Sequence, residues 1–181
     1  MAVYNTASDA VNTMIRAFLT KIGEFYLGQT FNTSTGKGKK LWEEIKLDTF
    51  SGKCAFCESA TDQLTIEHLV MFNRSQCGLH HPGNVVPCCK SCNKRKRHAD
   101  SGEYYDWIEQ LESVCDSIEQ LKRRKKKINL HISNQGYPNL TDDERNALKA
   151  VAMSLYNRIS AELETSINLF SEIDKTLVKG R

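Results

Sequence analysis

Two Cys-x-x-Cys pairs, Cys54-Ala55-Phe56-Cys57 and Cys89-Lys90-Ser91-Cys92, constrain this chain more than any other feature. Each pair suits a tight turn that aims two thiolates at one point. Two such turns supply the tetrahedral four-sulfur set that zinc accepts. A site of this kind organises a small fold, because metal binding and folding are coupled there. The first residues are polar and do not resemble a secretory leader, and no stretch approaches the ~20 apolar residues a membrane span needs. A cytoplasmic, reducing setting without membrane association is therefore expected, where paired cysteines bind metal more often than they form disulfides. Of the three remaining cysteines, Cys77, Cys88 and Cys115, Cys88 is an alternative ligand to Cys89; equal loop geometry in the two pairs favours Cys89.

The 181 residues suffice for one domain or for a small domain with helical extensions, and 40% hydrophobic content excludes a disordered chain. Ser8 to Leu27 carries apolar residues three and four apart: Val11, Met14, Ile15, Phe18, Leu19, Ile22, Phe25 and Tyr26. Gly28 is a suitable stop. Lys39 to Phe50 reads as a second helix, Gln63 to Val70 as a strand, and Cys89 to His98 as the start of another helix. From Glu103 a long helical stripe runs through Trp107 or Ile108, Leu111, Val114 or Cys115, Ile118 and Leu121. After the Asn134–Pro138 break, Thr141 and Glu144 match a capping box. The helix that follows carries Leu148, Val151 or Ala152, Leu155, Ile159, Leu163, Ile167, Phe170, Ile173 and Leu177. Two long helices joined by a short break predict an antiparallel hairpin, its stripes either core or the seam of a coiled-coil dimer. The fold class is thus α+β and mostly helical. Residues 1–50 form an N-terminal helical segment, 51–100 a small core with the four-cysteine zinc site, and 101–181 a helical hairpin that can serve as a dimerisation arm.

Residues 58–88 separate the two cysteine pairs, more than the ~15–20 of a zinc ribbon. A purely structural ribbon does not need that insert. It holds Glu67-His68, His80-His81, and Pro82-Gly83-Asn84-Val85-Val86-Pro87, and Asn93 follows the last cysteine. An acid beside a histidine is the raw material of metal-assisted hydrolysis. If residues 64–70 form a regular strand, however, Glu67 and His68 point to opposite faces, so residues 67–70 are expected to be irregular. His80 and His81 read as loop residues.

Taken together, Cys-x-x-Cys, Glu67-His68, Gly83-Asn84-Val85-Val86-Pro87-Cys88-Cys89-x-x-Cys92-Asn93 and Lys94-x-Lys96 resemble the zinc-stapled form of the HNH endonuclease motif. The resemblance spans about 45 residues, from Cys54 to Lys96. It implies a ββα-metal core, with His68 as the general base that activates water and Asn84 orienting that imidazole. It also implies Glu67 and Asn93 as ligands of a catalytic Mg²⁺ or Mn²⁺ ion, and Cys54, Cys57, Cys89 and Cys92 around a structural Zn²⁺. Oxygen ligands suit a hard divalent ion, and an imidazole with pKa near ~6.5 accepts a proton at neutral pH. The chain departs from the common pattern with Glu67 in place of Asp, Asn93 in place of His, and Met71-Phe72 where a proline is usual.

The formal net charge is only +3, yet basic residues cluster at Lys37–Lys40, around Lys90 to Arg97, and in the unbroken run Lys122 to Lys127. Such footprints suit a polyphosphate partner, and the run alone is equally consistent with a solvated helix face. Arg74, Lys94, Arg95 and Lys96 are the expected phosphate contacts. The expected activity is cleavage of double-stranded DNA, with restriction or anti-phage defence as its setting, a homodimer through the helical arms, and a defence-system partner protein. Two rivals stand beside it: a non-catalytic zinc module that grips nucleic acid, and an RNA-cleaving toxin.

Overall fold

The computed structural model describes residues 7–177. Among these the chain is α+β and mostly helical, with one two-stranded antiparallel sheet and a four-cysteine cluster. Its elements are α1 (Ala7–Leu27), α2 (Gly36–Glu44, prolonged by a wider turn over Ile45–Thr49), β1 (Thr65–His68), β2 (Val85–Cys88), α3 (Trp107–Glu112), α4 (Ile118–Asn134) and α5 (Asp142–Leu177). They fall into two compact units. The larger comprises residues 19–72 and 78–139, and the smaller residues 7–18, 73–77 and 140–177.

The larger unit is built on Phe31, Trp42, Ile45, Phe50, Phe56, Leu69, Val85, Val86, Leu111 and Ile128, all buried. β1 and β2 pair with Glu67 opposite Val86 and His68 opposite Val85. The pair is short because the chain leaves the ladder just past His68: the Leu69 amide still donates in register to the Asn84 carbonyl (2.9 Å), but the Val70 amide turns to the Asn84 side chain (2.8 Å). Residues 69–70 are irregular as expected, whereas Glu67 and His68 are still strand. Gly78 closes the excursion that follows. Its amide donates to Met71 O (2.9 Å), and a Cβ there would sit 1.9 Å from the Val70 carbonyl oxygen.

The helix expected from Cys89 to His98 does not form. Cys89 to Asn93 makes one turn, closed by the Asn93 amide on Cys89 O (3.0 Å), and the chain then runs extended to a bridge between Arg97 and Tyr104. Two forces override the helical pattern. Bringing both thiols to one point needs a knuckle, and Arg95 turns its side chain into the interior. The long helix read from Glu103 is two helices. Asp106 and Glu109 form a capping box at the start of α3, and Ser117 Oγ accepts from the Gln120 amide (3.2 Å) to start α4 afresh. α4 lies against the 3₁₀ turn Pro82–Asn84 and buries Arg124, Ile128 and His131.

In the smaller unit, α1 buries Val11 and Ile15. The capping box at Thr141 is present: Thr141 Oγ1 accepts from the Glu144 amide (3.3 Å), and Glu144 Oε2 accepts from the Thr141 amide (2.7 Å). α5 buries Ala152, but its second half does not supply the core expected of it. Ile167, Phe170, Ile173 and Leu177 are exposed, as is Met14 of α1. No helix among the described residues is long and apolar enough to cross a membrane.

Candidate functional site

The sulfur atoms of Cys54, Cys57, Cys89 and Cys92 lie within 4.8 Å of one another, so the four could hold a structural metal such as zinc. Each knuckle sets a serine against one sulfur, after the second cysteine in the first pair and after the first cysteine in the second. Ser59 Oγ lies 3.1 Å from Cys57 Sγ, and Ser91 Oγ lies 3.1 Å from Cys89 Sγ, each hydroxyl two residues past its cysteine. Such contacts support a thiolate and fix its direction. The residue after Cys57 needs left-handed backbone, and Glu58 supplies it at φ 59°. Its carboxylate ion-pairs with Arg123 and, at 3.2 Å, with Arg124 Nε of α4. Arg124 Nη1 also donates to Phe56 O (2.8 Å), so α4 clasps the first knuckle. Cys88 is not the fourth ligand. It is fully buried in β2 and its thiol donates to Cys89 O (3.5 Å). It also hydrogen-bonds Cys54, which is the first cause holding the Cys54 thiol far below its ordinary value, with Cys92 second.

Beyond the cluster, the strand exit places His68. Asn84 is buried and braces two chain segments at once. Its Oδ1 accepts from the Val70 amide (2.8 Å), and its Nδ2 donates to Val70 O (2.9 Å) and Leu79 O (2.8 Å). Asn84 therefore acts on His68 through the backbone, and the group on the imidazole is another histidine: His68 Nε2 lies 3.0 Å from His80 Nδ1. Phe72 stacks on the other side of the His68 ring, centroids 4.6 Å apart at 15°. Burial lowers the pKa of His80 against a smaller opposing pull from Glu24. His81 caps the 3₁₀ turn through Nδ1 (Gly83 amide, 3.1 Å), and burial brings it down to about 4. His131 reaches from α4 to the carbonyls of Pro82 (3.1 Å) and Val85 (3.0 Å), which holds the Asn84 turn from behind.

Glu67 and His68 point to opposite faces of β1. The Glu67 carboxylate is buried against Arg95 Nη2 at 2.5 Å; burial pushes its pKa up while the guanidinium pulls it back. Arg95 donates further to His68 O (2.8 Å), Leu69 O (3.0 Å) and Tyr105 O (3.4 Å). The expected phosphate contact at Arg95 is thus corrected: with 8% of its surface exposed, it is a staple under the strand exit. The expected ligand pair is also reshaped. Asn93 donates from Nδ2 to Thr65 Oγ1 (2.7 Å) and Ile66 O (3.3 Å), contacts that do not use its Oδ1, whereas Glu67 commits Oε1 to Arg95. Lys94 and Lys96 are exposed, and Arg74 stacks on Tyr156 at 3.9 Å within the smaller unit.

No protein-family model, curated protein or solved structure matches the chain.

His80, Arg124 and His131 are the structural participants that sequence reasoning missed. For His80 a signal was present: a histidine four residues before Asn84 sits in the segment that Asn84 ties to the strand exit. His131 gave none, since a basic residue in the last turn of a helix is ordinary.

Proposed function

We propose that this chain is a nuclease that hydrolyses phosphodiester bonds in double-stranded DNA, with His68 taking the proton from the attacking water. One observation supports the reading above others. An imidazole at the end of a short strand is hydrogen-bonded on one edge and stacked on one face, and its backbone is fixed by Asn84 and Arg95. Catalysis by proton transfer needs this kind of immobilised base. The four-cysteine cluster at the end of β2 anchors the partner strand, so a bound zinc would stiffen the same sheet. Lys94 and Lys96, exposed just past the second knuckle, and Lys90 within it suit phosphate contacts that position a duplex.

The divalent ion implied by the motif resemblance would share the Glu67 carboxylate with Arg95, which holds Oε1, and no step is assigned to that ion. That engagement of Glu67 favours one rival, a zinc module that grips nucleic acid without cutting it. Cleavage of supercoiled plasmid, single strands and structured RNA, each with Mg²⁺, with Mn²⁺ and with chelator, separates the readings. We expect duplex nicking that His68→Ala abolishes while zinc content and DNA binding persist. A His68→Ala protein that cuts like its parent removes the catalytic assignment.

A cut through both strands calls for two sites. We place the pairing of two copies on α5, where Leu163, Ile167, Phe170 and Leu177 recur at three, four and seven residues and the last three are exposed. An anti-phage or restriction role, with a partner protein of such a system, fits a small nuclease of this design.

A further inference from the structure

We propose that the recess between α4 and the first cysteine knuckle is a binding pocket for a phosphate group, with Lys53 and Lys127 as the residues that hold it. None of its residues belongs to the His68 site, and it does not depend on cleavage.

The recess has a volume of about 110 Å³ and is lined in part by Phe50, Ser51, Lys53, Glu58, Arg124 and Lys127. A water needs only ~10–15 Å³ of such space, so there is room for several waters or for one tetrahedral anion. Two pieces of chain bring the charges together. After Phe50 the backbone passes through two left-handed residues, Ser51 (φ 56°) and Gly52 (φ 65°), and this tight turn delivers Lys53, whose backbone is then fixed by a bridge to Ala60. From the other side, Arg124 and Lys127 lie about one turn apart on the same face of α4. Lys127 Nζ sits over the Phe50 ring at 5.3 Å, which holds the ammonium against a wall of the recess.

The charges there do not cancel. Glu58 is the one carboxylate in the lining, and Arg123 and Arg124 both pair with it. Lys53 and Lys127 have no carboxylate partner among the described residues, which leaves two positive charges without an internal counter-ion. Two charges match a phosphate, which carries one as a diester and up to about two as a monoester. Behind the lysines, Arg124 is buried and fixed by its Nη1 bond to Phe56 O (2.8 Å). Its Nε, 3.2 Å from Glu58 Oε2, makes no aligned hydrogen bond, so a buried N–H there favours an acceptor brought to it. Ser51, exposed at the turn, adds a hydroxyl donor. The pocket lies on the Cys54 side of the sulfur cluster, whereas Lys90 and Lys94 flank Cys89. The phosphate is therefore either part of a nucleic-acid backbone gripped at both knuckles or a free phosphate group.

The test uses the zinc-loaded full chain and the variants Lys53→Ala, Lys127→Met and the two combined. Methionine keeps an apolar stem on Phe50 and removes the charge. Inorganic phosphate, titrated against sodium chloride at equal ionic strength, should move the backbone amide signals of Ser51 to Lys53 and the Arg124 Nε signal along a saturating curve in the millimolar range. Each single variant should weaken that binding about two- to fivefold. With a short DNA duplex, the combined variant should lower the slope of log K against log salt by about 0.9, the contribution of one phosphate, when the backbone is the source. An unchanged slope beside weakened phosphate binding assigns the pocket to a free phosphate group. An equal response to chloride, a titration that does not saturate, or a combined variant that binds phosphate like the parent overturns the proposal. If that variant keeps phosphate but loses zinc affinity, the lysines serve the sulfur cluster instead. Lys53 is exposed, so Lys53→Ala decides alone if the combined variant does not fold. Failure of the nuclease reading shows in the plasmid assay and leaves each of these outcomes as it stands.

Discussion

Removing Arg95 tests the architecture beneath the site. Its side chain is 2% exposed and that of Glu67 11%, so the pair belongs to the buried class and not to the surface class worth at most about 1 kcal/mol. Arg95→Ala leaves a buried carboxylate without a cation and withdraws donors from His68 O, Leu69 O and Tyr105 O. Breaking such a pair from one side costs about 3–5 kcal/mol, most of it the penalty of the stranded charge. Removing both charges is much milder, so Glu67→Leu with Arg95→Met should recover at least half of that loss. The double-mutant cycle of Glu67 and Arg95 should then show coupling above about 2 kcal/mol. Urea unfolding of the zinc-loaded protein at pH 7, followed by tryptophan fluorescence, reads the right region, because Trp42 and Trp107 both belong to the larger unit. Coupling below about 0.5 kcal/mol, the value of an exposed pair, would refute the account.

Three further outcomes are expected. Cys57→Ser should lower bound zinc from one equivalent toward none by elemental analysis and unfold the larger unit at a lower temperature, since the metal supplies folding free energy there. Stability should fall as the pH drops from about 6.5, the unfolded value for histidine, toward about 4, the folded value of His81, because the unfolded chain takes up the proton first. That loss is on the order of 3 kcal/mol for His81 alone, with His131 adding in the same direction, and His81→Asn should flatten the dependence measured by urea midpoints. Sedimentation equilibrium should give a dimer for the parent and a monomer for Ile167→Asp with Phe170→Asp; a monomeric parent at tens of micromolar, on the order of a usual working range, would refute pairing through α5.

Much of the fold could be read from local signals, and most of the site could not. The cysteine pairs, α1 and the capping box at Thr141 declare themselves over a few residues. The break between α3 and α4 was also written locally, in Asp106 and Ser117, but the apolar stripe masked it. The missing helix after Cys92 has a different cause. Arg95 looks like one more solvated charge in a basic cluster, and only the assembled structure shows it turned inward to meet Glu67. The same holds for His80, whose role depends on two segments twelve residues apart being stitched together by Asn84. The exposed half of α5 carries a periodicity that is identical whether its partner is the same chain or another copy, so sequence pattern could not assign it.

Glu58 makes the first knuckle report on α4. The residue that must adopt a left-handed turn when the sulfurs converge is the one whose carboxylate neutralises Arg123 and the buried Arg124. If the ion leaves and the turn relaxes, Arg124 loses its counter-charge in an apolar setting and the helix loses its seat. Demetallation would then be felt first as melting of a cationic helix, and one of that helix's six consecutive positive charges, Arg124, is already spent on the protein's own interior.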